Sequence, residues 1–198
     1  IKNNIENKTL IFYTNGLLGS RKSQTYSNFN DFMYNLSYWS SWSNGFNIWK
    51  SEFDKIDKNL KLNKLFPHTS LFLTQHQAKL FCINDNLLFD VQRIPKRGGH
   101  NKFEAFTIEY PSLLDECCKK GHISTKCKKH ILFGIMVQFL PSLLFNKYII
   151  RIETFDDMGF RNNLKKYYPS YAYWLVLISV LGCLLYTSPS PRDISGSR

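Results

Sequence analysis

The sequence has few of the residues that mark several specialised classes of protein. Its 198 residues include five cysteines, too few for a small disulfide scaffold. Ten glycines and seven prolines follow no period, which excludes collagen-like and low-complexity chains. No internal repeat is present. A chain that is 43% hydrophobic and 16% aromatic can bury a core, so it is not intrinsically disordered. The length predicts one domain, or at most two small ones.

Motifs for catalysis are also missing. The glycine-containing segments match neither a P-loop nor a dinucleotide-binding fingerprint. The sequence has no nucleophile elbow, no His-Glu-x-x-His motif and no kinase motif set. Glu104 and Glu109 would face opposite sides of a predicted strand, so they do not form a carboxylate pair. A fragment of an enzyme with an incomplete active site stays open as an alternative function.

Acidic residues are scarce, with 15 Asp and Glu against 26 Lys and Arg, a net charge of +11. The chain is rich in Lys, Asn, Ile, Phe and Tyr, whose codons are AT-rich, so base composition accounts for part of the basic excess. Glutamate also has an AT-rich codon, and base composition therefore does not explain why Lys outnumbers Glu. The charge favours an anionic partner, such as an acidic lipid surface, a nucleic acid or an acidic protein.

Both ends of the chain are typical of a fragment. The chain starts at Ile1, and Met33 is its first methionine. Residues 183–193 resemble a translated sequencing adapter, and the next five residues fit the index that follows it, so we expect 183–198 to be non-native. Without them the net charge is +10, from 24 basic and 14 acidic residues. The four remaining cysteines show no obvious pairing, which favours a reducing compartment.

The apolar pattern predicts an α+β fold for a single domain over residues 1–170. Residues 9–14 are typical of a strand that ends at Asn15-Gly16. Apolar residues recur every three or four positions from Phe32 to Leu60, which indicates N-terminal amphipathic helices with Asn28 or Asn30 as the cap.

Further elements are predicted in the second half of the chain. A β-hairpin over 87–94 and 102–110 would belong to a small antiparallel sheet. A pair of helices follows over 111–140 and is interrupted at Pro141. Apolar and polar residues alternate over 147–155, which predicts another strand. The mixture lacks a regular alternation of strands and helices, which favours α+β over α/β.

The loop of the predicted hairpin is basic and contains Gly98-Gly99. Backbone amides at glycines can approach a ligand closely, and nearby cations add charge-assisted hydrogen bonds. The loop is therefore a candidate anion-binding site, with a solvated turn as the alternative. Its candidate contacts are Arg93, Lys96, Arg97, His100 and Lys102.

A second basic cluster lies in the predicted helical pair. Five lysines and no acid occur between residues 119 and 129, so contact with phosphate is a reasonable expectation. The pair also resembles a generic helix-turn-helix, which makes a nucleic-acid-binding protein of replication or mobile-element type the alternative function. Residues that read bases are missing from the start of the second helix. The candidate contacts are Lys119, Lys120, Lys128 and Lys129.

The same region contains an incomplete set of zinc ligands. Cys117, His122 and Cys127 have the spacing of the last three ligands of a zinc knuckle, but Leu114 occupies the expected position of the first. His130 could supply a fourth ligand. The surrounding lysines would oppose a dication, so we predict no cofactor and keep zinc as the alternative.

The segment 171–182 raises the question of a membrane. Basic residues, then Tyr and Trp, then an uninterrupted apolar run is the order expected where a transmembrane helix leaves the cytoplasm. The run from Ala172 to Gly182 covers only eleven of the about 20 residues that a span needs. A core element is therefore an equal alternative.

The leading hypothesis is a non-enzymatic binding or regulatory domain, in the cytoplasm or on the cytosolic face of a membrane. Its basic patches would contact an anionic partner or membrane surface.

Overall fold

The described strands form one mixed sheet. The computed structural model describes residues 8–90 and 101–187 of the chain. Strands β1 (Leu10–Tyr13), β2 (Ser23–Tyr26) and β3 (Phe81–Asn84) lie in the order β1-β3-β2. Strand β3 is parallel to β1 and antiparallel to β2. The predicted α+β class is confirmed, but the sheet is mixed because the chain crosses over between β1 and β3.

The first helices are shorter than the apolar stripe predicts. They are α1 (Phe29–Leu36), α2 (Lys50–Phe53) and α3 (Pro67–Leu73). The Asn28 side chain caps α1 by accepting a hydrogen bond of 2.8 Å from the backbone N–H of Asp31. Ser37, with a φ of 53°, ends α1 and starts a short 3₁₀ turn. The stripe therefore continues in irregular chain, where Trp39, Trp42 and Phe46 still pack against the core but Phe53 is exposed.

A helix, α4, occupies residues 102–119, where the second strand of the hairpin was expected. It consists of Lys102–Glu104, the π-helical segment Ala105–Glu109 and Tyr110–Lys119. Its buried residues Phe103, Thr107, Tyr110 and Leu114 are spaced by four, three and four positions, which is the helical period. The hairpin prediction is wrong, because residues 102–110 are helical and residues 87–90 form no strand. Residues 91–94 lie outside the described part.

Helix α5 (Thr125–Ile149) continues through Pro141 rather than ending there. Two π-helical segments interrupt its regular bonding, Ile135–Phe139 and Phe145–Ile149. In the first, the backbone N–H of Leu140 bonds to the carbonyl of Ile135, five residues back. Since a π turn replaces the i→i−4 pattern that proline cannot complete, Pro141 fits directly after it. The predicted strand over 147–155 is wrong, because α5 extends to Ile149 and the chain from 151 to 157 is irregular.

Two more helices complete the described fold, α6 (Phe160–Tyr167) and α7 (Ala172–Thr187). Helix α7 packs on α5 through Ala172 and Val176, which are fully buried. By length and composition α5 could cross a membrane, but its apolar face supplies much of the core. A second part of the core is a cluster of aromatic rings with centroids 5.1–6.2 Å apart. The cluster consists of Phe12, Phe29, Phe32, Phe72 and Phe81.

Candidate functional site

Asp85 organises the loops where β1 and β3 end. Its fully buried carboxylate accepts hydrogen bonds from the Thr14 hydroxyl at 2.6 Å and from the Ser20 backbone N–H at 2.7 Å. The backbone N–H groups of Leu18 and Arg21 and the Ser20 hydroxyl also donate to it. Burial opposes the charge, but these hydrogen bonds outweigh it and lower the pKa of Asp85 to about 2. Both carboxylate oxygens are occupied, so Asp85 is a structural group rather than a catalytic base.

Asn15 fastens the same loop to the chain after β3. Its side chain accepts hydrogen bonds from the backbone N–H groups of Leu88 and Phe89 and donates one to the carbonyl of Phe89. Asn15 has a φ of 51°, a conformation that asparagine tolerates better than most residues. The Asn15-Gly16 signal correctly ended the strand, but no pattern in the sequence indicated a buried carboxylate at Asp85.

The predicted basic loop lies largely outside the described residues. Arg93, Lys96, Arg97 and His100 lie outside the described residues, so their role as anion contacts stays a prediction. Lys102 begins α4, and its ammonium group is 2.8 Å from the Glu153 carboxylate and 5.0 Å from the centre of the Phe155 ring. Lys102 therefore already has an anionic partner within the chain.

Two carboxylates pair with three of the five lysines in the predicted cluster. Asp115 pairs with Lys119 at 2.9 Å and with Lys128 at 2.7 Å. Hydrogen bonds from Lys128 and Lys119 lower the pKa of Asp115 despite slight desolvation. Lys120 pairs with Glu116 at 2.6 Å. Lys129 is exposed and makes no ion pair with the described residues. Asp115 and Glu116 lie one helical turn before Lys119 and Lys120, and Lys128 reaches Asp115 from α5.

The candidate zinc ligands have other partners. The His122 ring stacks on His76 with 3.5 Å between ring centroids, and the His130 ring stacks on Tyr34 at 4.0 Å. Burial raises the pKa of the Cys117 and Cys127 thiols to about 12 each, with Cys127 adding to the effect on Cys117 and Asp31 to that on Cys127. Among the described residues, no group of three or more His, Cys, Asp or Glu side chains is placed to hold a metal ion.

A depression of about 770 Å³ lies beside β1, α2 and the 3₁₀ turn Thr74–Gln77. Two of the lysines at its rim, Lys8 and Lys55, both pair with Glu52, at 3.2 and 2.9 Å. The Trp49 indole N–H donates to the carbonyl of Thr9 at 3.0 Å. These polar groups satisfy one another.

A continuous apolar stripe is exposed along α7. Its four residues are spaced by three, four and three positions, so they share one face of the helix. Each is 57–62% exposed, while Ala172 and Val176 on the opposite face are buried. We call these residues the α7 stripe; they are Tyr171, Trp174, Ile178 and Leu181.

Cations flank the α7 stripe. Helix α6 buries Phe160 and Leu164 and exposes Arg161 and Lys165, which lie one turn apart. The Arg161 guanidinium is 5.2 Å from the centre of the Tyr173 ring and 5.9 Å from that of Trp174. Neither Arg161 nor Lys165 makes an ion pair with a described residue. Arg161 thus meets aromatic rings at the start of α7.

Exposed apolar residues concentrate in this part of the molecule. Nine of the sixteen large hydrophobic residues that are exposed in the described chain fall between residues 148 and 181. A patch of this kind marks an interaction surface, since single exposed apolar residues are ordinarily scattered. Outside the α7 stripe, these residues are Tyr148, Ile149, Ile150, Ile152 and Met158.

Comparisons with known proteins found no match for this chain. The chain matches no family model, no curated protein and no solved structure.

Proposed function

We propose that this protein is a non-enzymatic domain that binds an anionic membrane surface, with α7 lying in the plane of the interface. The observation that carries the proposal is the α7 stripe beside the unpaired cations of α6. Interfacial helices present Trp and aliphatic side chains to the acyl region and basic side chains to the headgroups. Tyr and Trp favour this boundary because their rings are apolar and their tips polar.

Charge supports the choice of an anionic surface. A Lys or Arg near such a surface contributes about 1 kcal/mol to binding, and the stripe adds apolar burial. The lysines of α4 and α5, which the nucleic-acid alternative requires, are instead largely paired with Asp115 and Glu116. Arg161 and Lys165, which the membrane proposal uses, make no ion pair with a described residue, although Lys126 and Lys129 on α5 share this property.

Vesicle sedimentation of the full chain tests the proposal. We expect binding to vesicles of about 30% phosphatidylserine at low salt and much weaker binding to neutral phosphatidylcholine vesicles. Ile178→Glu should weaken binding at least about tenfold, because it places a charge in the apolar stripe. Phe53→Glu is the matched control, since Phe53 is 47% exposed on α2, and it should bind like the unmodified chain.

A second pair of variants tests the cations. Arg161→Glu should weaken binding to anionic vesicles about tenfold or more, whereas Lys126→Glu should change it little. Lys126 is exposed on α5 and makes no ion pair with the described residues, so it controls for net charge. Absence of vesicle binding would falsify the proposal. Retention on duplex DNA or RNA without vesicle binding would put nucleic acid in its place.

A further inference from the structure

A groove of about 540 Å³ runs beside α7, on a different side from the α7 stripe. The end of α5 and the start of α6 form its other walls. Its volume is within the range of about 300–1,000 Å³ that is usual for small-molecule sites. We call it the α7 groove; Leu144, Phe160, Leu177, Val180, Arg161 and Asn162 are among the residues that line it.

The α7 groove is polar at one end and apolar at the other. Tyr173 lines the groove where the Arg161 guanidinium lies on its ring. Leu177 and Val180 follow one and two turns later on the same helix, so the last of them is about 10 Å further along α7. A molecule in the groove would therefore meet a cation beside Tyr173 and the apolar side chains of Leu177 and Val180 further along α7. That order matches an amphiphile.

Arg161 is free to bind an anion at this polar end. Its guanidinium lies 5.2 Å from the centre of the Tyr173 ring and 5.9 Å from that of the Trp174 ring, and it makes no ion pair with a described carboxylate. Asp157 also lines the groove, but Lys147 pairs with it at 2.9 Å and the Tyr148 hydroxyl donates to it. The carboxylate is thus neutralised, and the net charge that faces a ligand is positive.

We propose that the α7 groove binds one acyl chain of an anionic lipid, with the phosphate or carboxylate headgroup on Arg161. The inference rests on the proposed membrane function, because a membrane supplies such lipids to this face of the protein. The Arg161 guanidinium suits a phosphate or carboxylate, which it can bind through two parallel N–H donors. Burial of the lipid's acyl chain at the apolar end of the groove supplies favourable binding free energy.

Titration calorimetry with soluble amphiphiles tests the groove without a membrane. The probe is dodecyl phosphate below its critical micelle concentration, added to the full chain. We expect one molecule to bind per protein, at least about tenfold more tightly than dodecyl maltoside, which has the same chain and a neutral headgroup. Inorganic phosphate alone should show no saturable binding, because it lacks the chain.

Two variants assign the binding to this groove. Val180→Trp should fill the apolar end and abolish binding, whereas Leu62→Trp adds similar bulk at an exposed position outside the groove and should leave affinity unchanged. Arg161→Gln should lower affinity for dodecyl phosphate to that for dodecyl maltoside, while Lys126→Gln should not. Arg161 is exposed, so its variant keeps the test valid if Val180→Trp does not fold.

The results separate this inference from the proposed function. Vesicle binding without dodecyl phosphate binding would overturn the groove alone. Binding of dodecyl phosphate without vesicle binding would support the groove and contradict the membrane function. Equal affinity of Val180→Trp and the unmodified chain, or binding of several amphiphiles per protein, would also overturn the assignment.

Discussion

Asp85 is the residue on which the loops at the ends of β1 and β3 depend. Three backbone N–H groups and two hydroxyls donate to its buried carboxylate. Asp85→Asn would place an amide N–H₂ against donors, leaving buried groups unsatisfied. We expect the free energy of unfolding, measured by urea denaturation, to fall by about 3 kcal/mol.

An exposed aspartate provides the control for that substitution. Asp54 pairs with Lys50 on the surface of α2, so Asp54→Asn should cost less than about 0.5 kcal/mol. If the two substitutions had equal effects, Asp85 would not be the organising group that its contacts indicate.

The low pKa of Asp85 also predicts how stability depends on pH. Its hydrogen bonds hold the pKa at about 2 in the folded protein, against a usual 3.8. The unfolded chain therefore binds the extra proton first as pH falls. Asp85 contributes about 2 kcal/mol above pH 4, and this contribution is lost between pH 4 and pH 2. Denaturation at several pH values should show the loss in the unmodified chain and a flatter curve over that interval in Asp85→Asn.

Among the helices and strands, features that depend on local sequence could be predicted, whereas elements that depend on tertiary packing could not. The strand before Asn15 and the cap at Asn28 follow from local chemistry, and the structure confirms both. Strand β2 (Ser23–Tyr26) has a mostly exposed polar sequence, so only its pairing with β3 defines it. Helix α4 contains aromatic and β-branched residues that favour strands, and its burial against α5 and α6 decides the outcome.

Gly45 determines how closely the chain after α1 approaches β1. A Cβ at this position would overlap the Phe12 ring and lie 2.5 Å from the Tyr13 carbonyl oxygen. The Tyr13 N–H donates to the Gly45 carbonyl at 2.8 Å, so the two segments cannot separate without losing this bond. Gly45→Ala should therefore lower the free energy of unfolding by about 2 kcal/mol, as measured by thermal or urea denaturation.

The comparison for Gly45 is Gly182 in α7. A Cβ there would meet no atom within 4 Å, so Gly182→Ala should be neutral or should stabilise the protein by up to about 1 kcal/mol. A loss at Gly182 as large as that at Gly45 would contradict close approach of the chain as the reason for glycine at position 45.

Across the whole molecule, the net charge can be counted from the sequence, but the cations that stay available on the surface cannot. The lysine run from 119 to 129 is conspicuous in the sequence, and folding sets Asp115 and Glu116 against it. The cations of α6 are fewer, but they stand beside exposed Tyr171 and Trp174. Which charges remain available depends on the neighbours that each helix acquires, and single-sequence patterns do not contain that information.

The membrane interaction should have one component that depends on salt and one that does not. Screening shortens electrostatic attraction from about 10 Å at 0.1 M salt to about 3 Å at 1 M, while burial of the α7 stripe is not screened. Raising NaCl from about 0.05 to about 0.5 M should therefore weaken sedimentation with anionic vesicles about tenfold and leave a residual affinity. Arg161→Glu should remove most of the salt dependence, and Ile178→Glu should remove the residual affinity. Binding that disappears entirely in salt would mean that charge alone holds the protein at the surface, with no insertion of the stripe.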